Sequence, residues 1–511
     1  MRTCPLNKAC RPLRCSAAAL LLALWAGGAT AQLQINSSPS PVGSGARALG
    51  MGSAFIAVAD DATAASWNPA GLTQLQDPEF SFVYDFRRVR ESFNSRFDPR
   101  LAGDYEVELG NFNFASITYP LPLTIAGRNA VVSLAVQRQF SFDRDLDYGV
   151  RQREFTSLLP GTSAPILFLG FPGPIRDTLI EGEYSQRGSL STFTPSFAIE
   201  LTNNLSVGVA VNIWDESLVG SNGWKTRQSG SSTTTIGNDL LRSGVVSLFS
   251  QQEEFEDFRG TNLTLGLLWR PTERWSIGMR YDSELSADVA YTRTGVAIAN
   301  GRGLAFTRTT SDREYTFPAA IGVGTAYRFP GDKLTLSLDV TYRDWDDFVI
   351  IEDNVHQASL TIPGAFSRSF SGLSQRLSPL TNGPKGAVPV DPTWTVRLGA
   401  EYVFVDESRP KQDYLPSLRA GIFYDPEPAS GRDNVLINGQ TQGLEQVGDG
   451  EPDDFYGVSV GAGLLIKNRI NLDVAYEYRW GDDVRTDTFG FFDTNADVDQ
   501  HSFYFSTVFY F

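Results

Sequence analysis

The chain has two histidines, His356 and His501, and three cysteines, Cys4, Cys10 and Cys15. Nucleophilic hydrolysis needs a hydroxyl or thiol beside an imidazole that a carboxylate orients. His356 falls in a long polar stretch and His501 at the start of a strand-like run. Neither has the context of a triad, so no catalytic residue is assigned and the chain does not read as an enzyme. With every cysteine at or before position 15, the rest of the chain offers no disulfide framework, thiolate metal site or cysteine nucleophile. Gly43-Ser44-Gly45 lacks the strand and helix of a phosphate loop, and no Walker pattern occurs. Asp60-Asp61 reads as a solvated turn or helix cap rather than a metal pair. The acidic stretches 449–454 and 482–499 read as solvated loops, with weak grounds for calcium or for cation bridging to lipopolysaccharide. No metal and no cofactor is assigned.

The remaining chemistry is non-covalent. Arg343, Arg397 and Arg479 share one alternation phase near the outer ends of strand-like segments, with Arg280 and Arg419 lower. A guanidinium fork in a low-dielectric interior would welcome a carboxylate ligand. Asp339, Glu401, Asp473 and Glu477 share that phase, so ion-pair ladders bracing the interior are the competing reading, and no arginine is singled out. Arg138 is out of pattern, lying in the apolar phase that Val132, Leu134, Val136, Phe140 and Phe142 define. Either it meets lipopolysaccharide phosphates near a membrane interface, or a bulge flips the phase there and opens the wall sideways. No Gly or Pro between 129 and 142 eases such a kink. Ile166, Leu167, Phe168, Leu169 and Phe171 form an apolar run inside a long connection. Such a run costs exposure unless it packs over a barrel mouth or receives an apolar ligand. Ile236, Leu240, Leu241, Val245, Leu248 and Phe249 recur at near-helical spacing, which predicts an amphipathic helix over the same mouth.

The elements that position these residues follow from the period of the apolar pattern. Period-2 alternation gives about fourteen strands. Their expected ranges are 78–90, 106–119, 128–142, 188–201, 204–216, 258–270, 274–291, 314–329, 333–348, 392–404, 414–425, 453–466, 468–481 and 500–511. Leu472, Val474, Tyr476, Tyr478 and Trp480 oppose Asn471, Asp473, Glu477 and Arg479. A soluble sandwich alternates too, but it does not put Arg and Glu on its enclosed side. Tight connections (Thr202-Asn203, Pro271-Thr272-Glu273, Pro330-Gly331-Asp332, Lys467-Asn468) alternate with long ones such as 143–187 and 346–391. That asymmetry belongs to outer-membrane barrels, with short periplasmic turns and long outer loops.

The two ends agree with this. Residues 1–31 read as a signal peptide: Arg2, Lys8, Arg11 and Arg14, an apolar stretch from Ala17 to Leu24, then Ala29-Thr30-Ala31. Six aromatics lie between Phe503 and Phe511, and Phe509 and Phe511 read as the insertion signal presented to the barrel-assembly machinery. The net charge of −16 argues against a nucleic-acid partner. No later segment makes a helical span, so a membrane protein with 20% charged residues must cross as a barrel. A barrel of this size is too wide for its side chains to fill. Residues 32–77, rich in Gly, Ala and Ser with Phe55, Ile56 and Trp67, are therefore expected to be a plug inside it, with a periplasmic tail as the alternative.

The stretch from Gly45 to Leu72 (GARALGMGSAFIAVADDATAASWNPAGL) resembles the N-terminal hatch of the FadL/TodX family, outer-membrane transporters of long-chain fatty acids and aromatic hydrocarbons. Asn68-Pro69-Ala70 matches the family's NPA motif. Phe317 to Gly324, Asp339 to Phe348 and Arg419 to Asp425 also resemble it. The resemblance implies an all-β protein: a 14-stranded antiparallel transmembrane barrel in the outer membrane of a Gram-negative bacterium, plugged by a hatch. It further implies capture of a hydrophobic ligand at outer loops, a site in the lumen, and sideways release at a kinked third strand aided by hatch movement. Asn68-Pro69 reads as a hatch-positioning or gating element, or as a simple turn.

The expected function is uptake of hydrophobic molecules, most simply long-chain fatty acids, with membrane and lipopolysaccharide as surroundings. Related hatch-like barrels serve protein secretion, so a protein-interaction barrel is the alternative, and a passive polar porin the third reading.

Overall fold

The computed structural model describes residues 44–95, 103–122, 127–155, 175–220, 222–237, 242–299, 303–362, 365–371, 374–378, 383–384, 390–406, 408, 412–428, 436–437, 440–441, 451–485 and 494–511. The expected signal peptide, residues 32–43, and the run Ile166, Leu167, Phe168, Leu169 and Phe171 lie outside the described residues.

Fourteen antiparallel strands close into one barrel. The last strand, Thr494–Tyr510, pairs along its length with the first, Glu79–Ser95, from Glu79↔Tyr510 to Ser95↔Thr494. Closure leaves neither of these two strands with a free edge at this junction, which is what a sheet needs in lipid, where water cannot satisfy an open ladder. The second strand is Gly103–Pro120 and the fourth Ile175–Thr202. Between them the third runs as Ala130–Ser141 and continues as Arg144–Phe155.

Each expected range coincides with a barrel strand, and the alternation holds where it was clearest. Val474 is 51% exposed on the lipid side, while Asp473 and Arg479 are each 2% exposed on the inner side. The turn Lys467-Asn468 has positive φ at both residues (50° and 52°), the backbone hand that matches strand twist in a two-residue hairpin.

Two expectations fail in the outer half. Much of the long connections is strand rather than loop: Arg144–Phe155, Gly223–Gly237, Leu285–Ala299 and Val349–Ile362 extend the sheet beyond the membrane band. Where it is described, the expected amphipathic helix is also strand: Ile236 lies within Gly223–Gly237 and Val245, Leu248 and Phe249 within Arg242–Thr272, while Leu240 and Leu241 lie outside the described residues. The neighbouring runs Ser231-Ser232-Thr233-Thr234-Thr235 and Val245-Val246-Ser247 are β-prone, and they pair with each other. An available ladder partner outweighs helical spacing.

Several strands break at one level. Pro318 interrupts the eighth between Gly303–Phe317 and Ala320–Arg328, having no N–H for the ladder. The turn Trp345–Asp347 interrupts the ninth, and the short helix Glu216–Val219 the fifth.

Residues from Ser44 onward cross the bore before the first strand. The helix Ala46–Gly50 packs on the walls made by Tyr414–Tyr424, Tyr456–Ile466, Ile470–Arg485 and the last strand. The 3-10 turn Pro69–Gln74 packs on the third to sixth strands opposite. Met51, Phe55 and Leu72 are fully buried, each worth roughly 1.5–3 kcal/mol over exposure.

Candidate functional site

The inner segment is held to the wall by polar contacts from several strands. Arg47 donates to both oxygens of Glu401 at 2.9 and 2.8 Å and also pairs with Asp60. Glu401 is shared with Arg419 at 2.8 Å, and Arg419 reaches Asp473 at 2.6 Å. Burial alone would lower the Arg47 pKa, but the carboxylates of Asp60, Glu401 and Asp61 outweigh it and raise it well above the ordinary value. Burial likewise raises Asp61, against the pull of Arg47 and of the Thr63 hydrogen bonds. Asp60-Asp61 is thus not a solvated turn: Asp61 is 7% exposed and accepts from Thr63 N and Oγ1. Asp339 accepts from Ile56 N at 2.8 Å, Ser337 donates to Ala54 O at 2.7 Å, and Arg280 donates to Ser66 O at 2.7 Å. The lumen-phase charges therefore brace segment and wall.

Asn68 and Ala70 are completely buried, and Pro69 between them is buried. Asn68 Nδ2 donates to Ile56 O at 2.8 Å and to Leu267 O in the sixth strand at 3.1 Å, and Asn68 Oδ1 accepts from Ala70 N at 3.2 Å. One amide thus caps the 3-10 turn, closes the segment on itself and ties it to the barrel. The wall makes room with glycine. A Cβ at Gly266 would lie 2.2 Å from Asn68 Oδ1, and one at Gly208 2.4 Å from the Pro69 carbonyl carbon. Sequence reasoning found the tripeptide but not these two glycines. Their signal was present, since each sits on the inner phase of an otherwise apolar strand.

Further out along the strands, side chains from the third to the ninth strand form an aromatic cluster. It includes Phe140, Trp214, Trp224, Phe258, Phe317 and Phe348. Trp224 stacks on Phe255 at 4.4 Å between centroids, and Phe140 on Phe317 at 5.4 Å. In the third strand the cluster begins nine residues beyond Val131, which packs against the inner segment, or ~30 Å along the chain at strand rise. The facing wall carries ion pairs beside a second apolar cluster that includes Phe93, Phe455 and Val484: Arg397 lies 3.4 Å from Asp425, Arg479 lies 2.9 Å from Glu427, and Arg479 covers the Phe455 ring.

Phe140 and Phe142, expected toward lipid, are 4% and 0% exposed in this interior cluster. The cause is a bulge in the third strand between Arg138 and Phe140, which shifts the register against the fourth strand. Arg138 does not face lipopolysaccharide. It is 7% exposed, donates to the Phe112 carbonyl in the second strand, and lies 3.8 Å from Asp85 in the first. His356 lies on the strand Val349–Ile362 and packs on Phe370 at 4.6 Å, while His501 Nδ1 meets the Tyr476 hydroxyl at 2.8 Å. Phe509 pairs with Phe80 and Ile470, and Phe511, 76% exposed, bonds through its N–H to Pro78 O.

A family profile described as outer membrane protein transport protein (OMPP1/FadL/TodX) matches residues 178–503. The chain belongs to this family. It is an outer-membrane β-barrel of a Gram-negative bacterium, in a family of channels for hydrophobic compounds. Among solved structures, a Pseudomonas aeruginosa FadL homologue aligns with a TM-score of 0.53 at 15% identity, covering 93% of this chain and 100% of that one. A deltaS2 mutant of the TodX monoaromatic hydrocarbon channel aligns with a TM-score of 0.51 at 15% identity, covering 92% and 99%. At such identity these likenesses show the FadL/TodX fold. No curated protein matches the sequence.

Proposed function

We propose that this FadL/TodX-family protein takes up hydrophobic molecules, most simply long-chain fatty acids, and that residues 32–77 act as its hatch within a barrel of residues 78–511. The observation that carries the reading is the division of the lumen. An aromatic wall faces a wall that carries arginines and carboxylates, above a segment held by bonds that can be exchanged one by one. An amphipathic molecule suits such a cross-section, its chain on the rings and its head toward the charges. Burying an acyl chain contributes about 0.8 kcal/mol per methylene, enough for micromolar binding once ordering costs are met. Asn68-Pro69-Ala70 is the natural gating element, because one amide holds both the turn and the wall. Ile166, Leu167, Phe168, Leu169 and Phe171 are proposed as the outer landing site. The bulged third strand is proposed as a sideways exit, which fits a hydrophobic cargo that need never meet water. Residues 1–31 direct export, and Phe509 and Phe511 mark the last strand for barrel assembly.

The neighbouring TodX is a monoaromatic hydrocarbon channel, so a compact aromatic cargo is the second reading, favoured by the density of rings. Equilibrium binding to the purified protein separates the two. Micromolar affinity for palmitate or oleate with weak binding of toluene supports the fatty-acid reading. The reverse order assigns the aromatic cargo, and binding of neither overturns the proposal.

A further inference from the structure

We propose that Arg138 is a latch that holds the third strand to the second and first and keeps the side of the barrel shut. This rests on the sideways exit proposed above and deepens it.

The wall is weakest at this point. The ladder between the second and third strands runs from Pro120↔Val131 to Phe114↔Gln137. Beyond it, among the described residues, the two strands part. The second continues to Gly103 paired with the first, and Arg144–Phe155 pairs with the fourth. Both strands bulge there, the second at Asn113 against the first and the third at Gln139 against the fourth. Bulges on both sides of one seam prevent the ladder from closing over it.

The parting begins within the lipid-facing band. Phe86 and Phe112, on neighbouring outer positions, are 57% and 36% exposed, whereas Arg88 and Glu106 beyond them form a surface ion pair. An opening here faces hydrocarbon.

Within that band one side chain spans it; further out, buried Arg144 of the third strand donates to both carboxylate oxygens of Glu91 in the first at 2.8 and 2.7 Å. Arg138 is the first residue past the ladder. Its Nη2 donates to the Phe112 carbonyl, and its Nη1 donates to Asn111 at 2.8 Å once that amide is oriented to satisfy its neighbours. The same guanidinium lies 3.8 Å from Asp85, whose Oδ1 has no hydrogen-bond partner. Arg138 starts in the phase of lipid-facing Val132 and Leu134 and ends beside a carboxylate of the inner phase, so it threads the seam. A regular ladder would need many bonds broken to part. Within the lipid-facing band this seam is closed by one cation with a loose counter-ion and can open there without unzipping a ladder, while the Arg144–Glu91 pair holds its outer end.

Ser116 reports on the seam from inside. It is 2% exposed, and its hydroxyl has no hydrogen-bond partner, so Ser116→Cys removes no bond. The chain's own cysteines precede the expected cleavage site. In liposomes, Ser116→Cys alone should react slowly with a lipid-soluble maleimide. Adding Arg138→Gln should accelerate that labelling about tenfold, the cost of a lost charge-assisted bond, with no change in labelling by a charged, water-soluble maleimide. Arg138→Lys, which keeps charge but not the fork, should fall between. Heat-modifiable gel migration confirms that each variant is folded, and Arg138→Lys carries the test if Arg138→Gln is not. Equal lipid-side labelling in folded variants, or acceleration by the water-soluble reagent alone, overturns the latch. Fatty-acid uptake by the parent protein is measured separately. Its absence counts against the transport reading and leaves the labelling result interpretable as a property of the seam.

Discussion

Asn68 shows how much a single amide does in this protein. It has no exposed surface, and its two donors and one acceptor are used within the inner segment and on the sixth strand. Asn68→Ala removes a donor from Ile56 O and from Leu267 O and the acceptor of Ala70 N, at ~1–3 kcal/mol for the groups left unsatisfied. The barrel ladders do not depend on it. We therefore expect Asn68→Ala to fold, with hydrogen exchange across residues 46–74 rising about tenfold while the strands stay protected. Arg47 and its partner Glu401 can be ranked in the same way. Breaking a buried ion pair costs about 3–5 kcal/mol when one partner is stranded. Arg47→Met leaves Asp60 and Asp61 without this cation, whereas after Glu401→Gln Arg47 keeps Asp60 and Arg419 keeps Asp473. Arg47→Met should therefore loosen the segment more than Glu401→Gln. The same exchange measurement ranks the two variants.

At the scale of elements, the wall and the segment inside it are complementary surfaces. Gly208 and Gly266 are flat places on two strands where the backbone of the Asn68-Pro69 turn sits, and any side chain there collides with backbone. Gly208→Val should displace the turn and leave the strand paired. The check is planar-bilayer conductance: near silence for the parent protein and a steady leak for the variant. A variant as silent as the parent would show that the turn is not seated as described.

These elements also mark how far the sequence could be read. Alternation located all fourteen strands because lipid on one side and charge on the other leave a period-2 imprint, as in Val474 against Asp473. It misplaced Phe140 and Phe142, because one extra residue at Gln139 reverses the phase; the out-of-phase Arg138 was the mark of that bulge, which the sequence offered as one of two readings. The aromatic cluster was missed for the same reason: it forms where strands break and turn inward, and no single strand shows it. Asn68-Pro69-Ala70 was legible as a turn. Its ties to Leu267, Gly208 and Gly266 are long-range and appear only when the chain is closed.

For the whole molecule, the lumen is layered and two-sided. The segment from Ser44 to Gln76 sits toward the short-turn ends of the strands, near Val131, Ala198 and Ala326. The aromatic cluster sits further out, opposite Arg397, Asp425 and Arg479. Truncating Trp214 or Phe258 to Ala should weaken binding of an apolar ligand by roughly tenfold or more, given about 3–5 kcal/mol for removing a large buried aromatic, part of it lost to relaxation. Titration of a fluorescent fatty acid measures this. Uptake then requires that the inner segment yield. The Thr73 and Ser206 hydroxyls lie 2.8 Å apart, joining that segment to the fifth strand. Thr73→Cys with Ser206→Cys should form a disulfide staple between them. Cellular uptake of a labelled fatty acid through this variant is the most direct test. We predict that uptake falls about tenfold when the staple is oxidised and recovers on reduction, as expected where a moving element gates passage. Equal uptake with the staple closed would contradict the account.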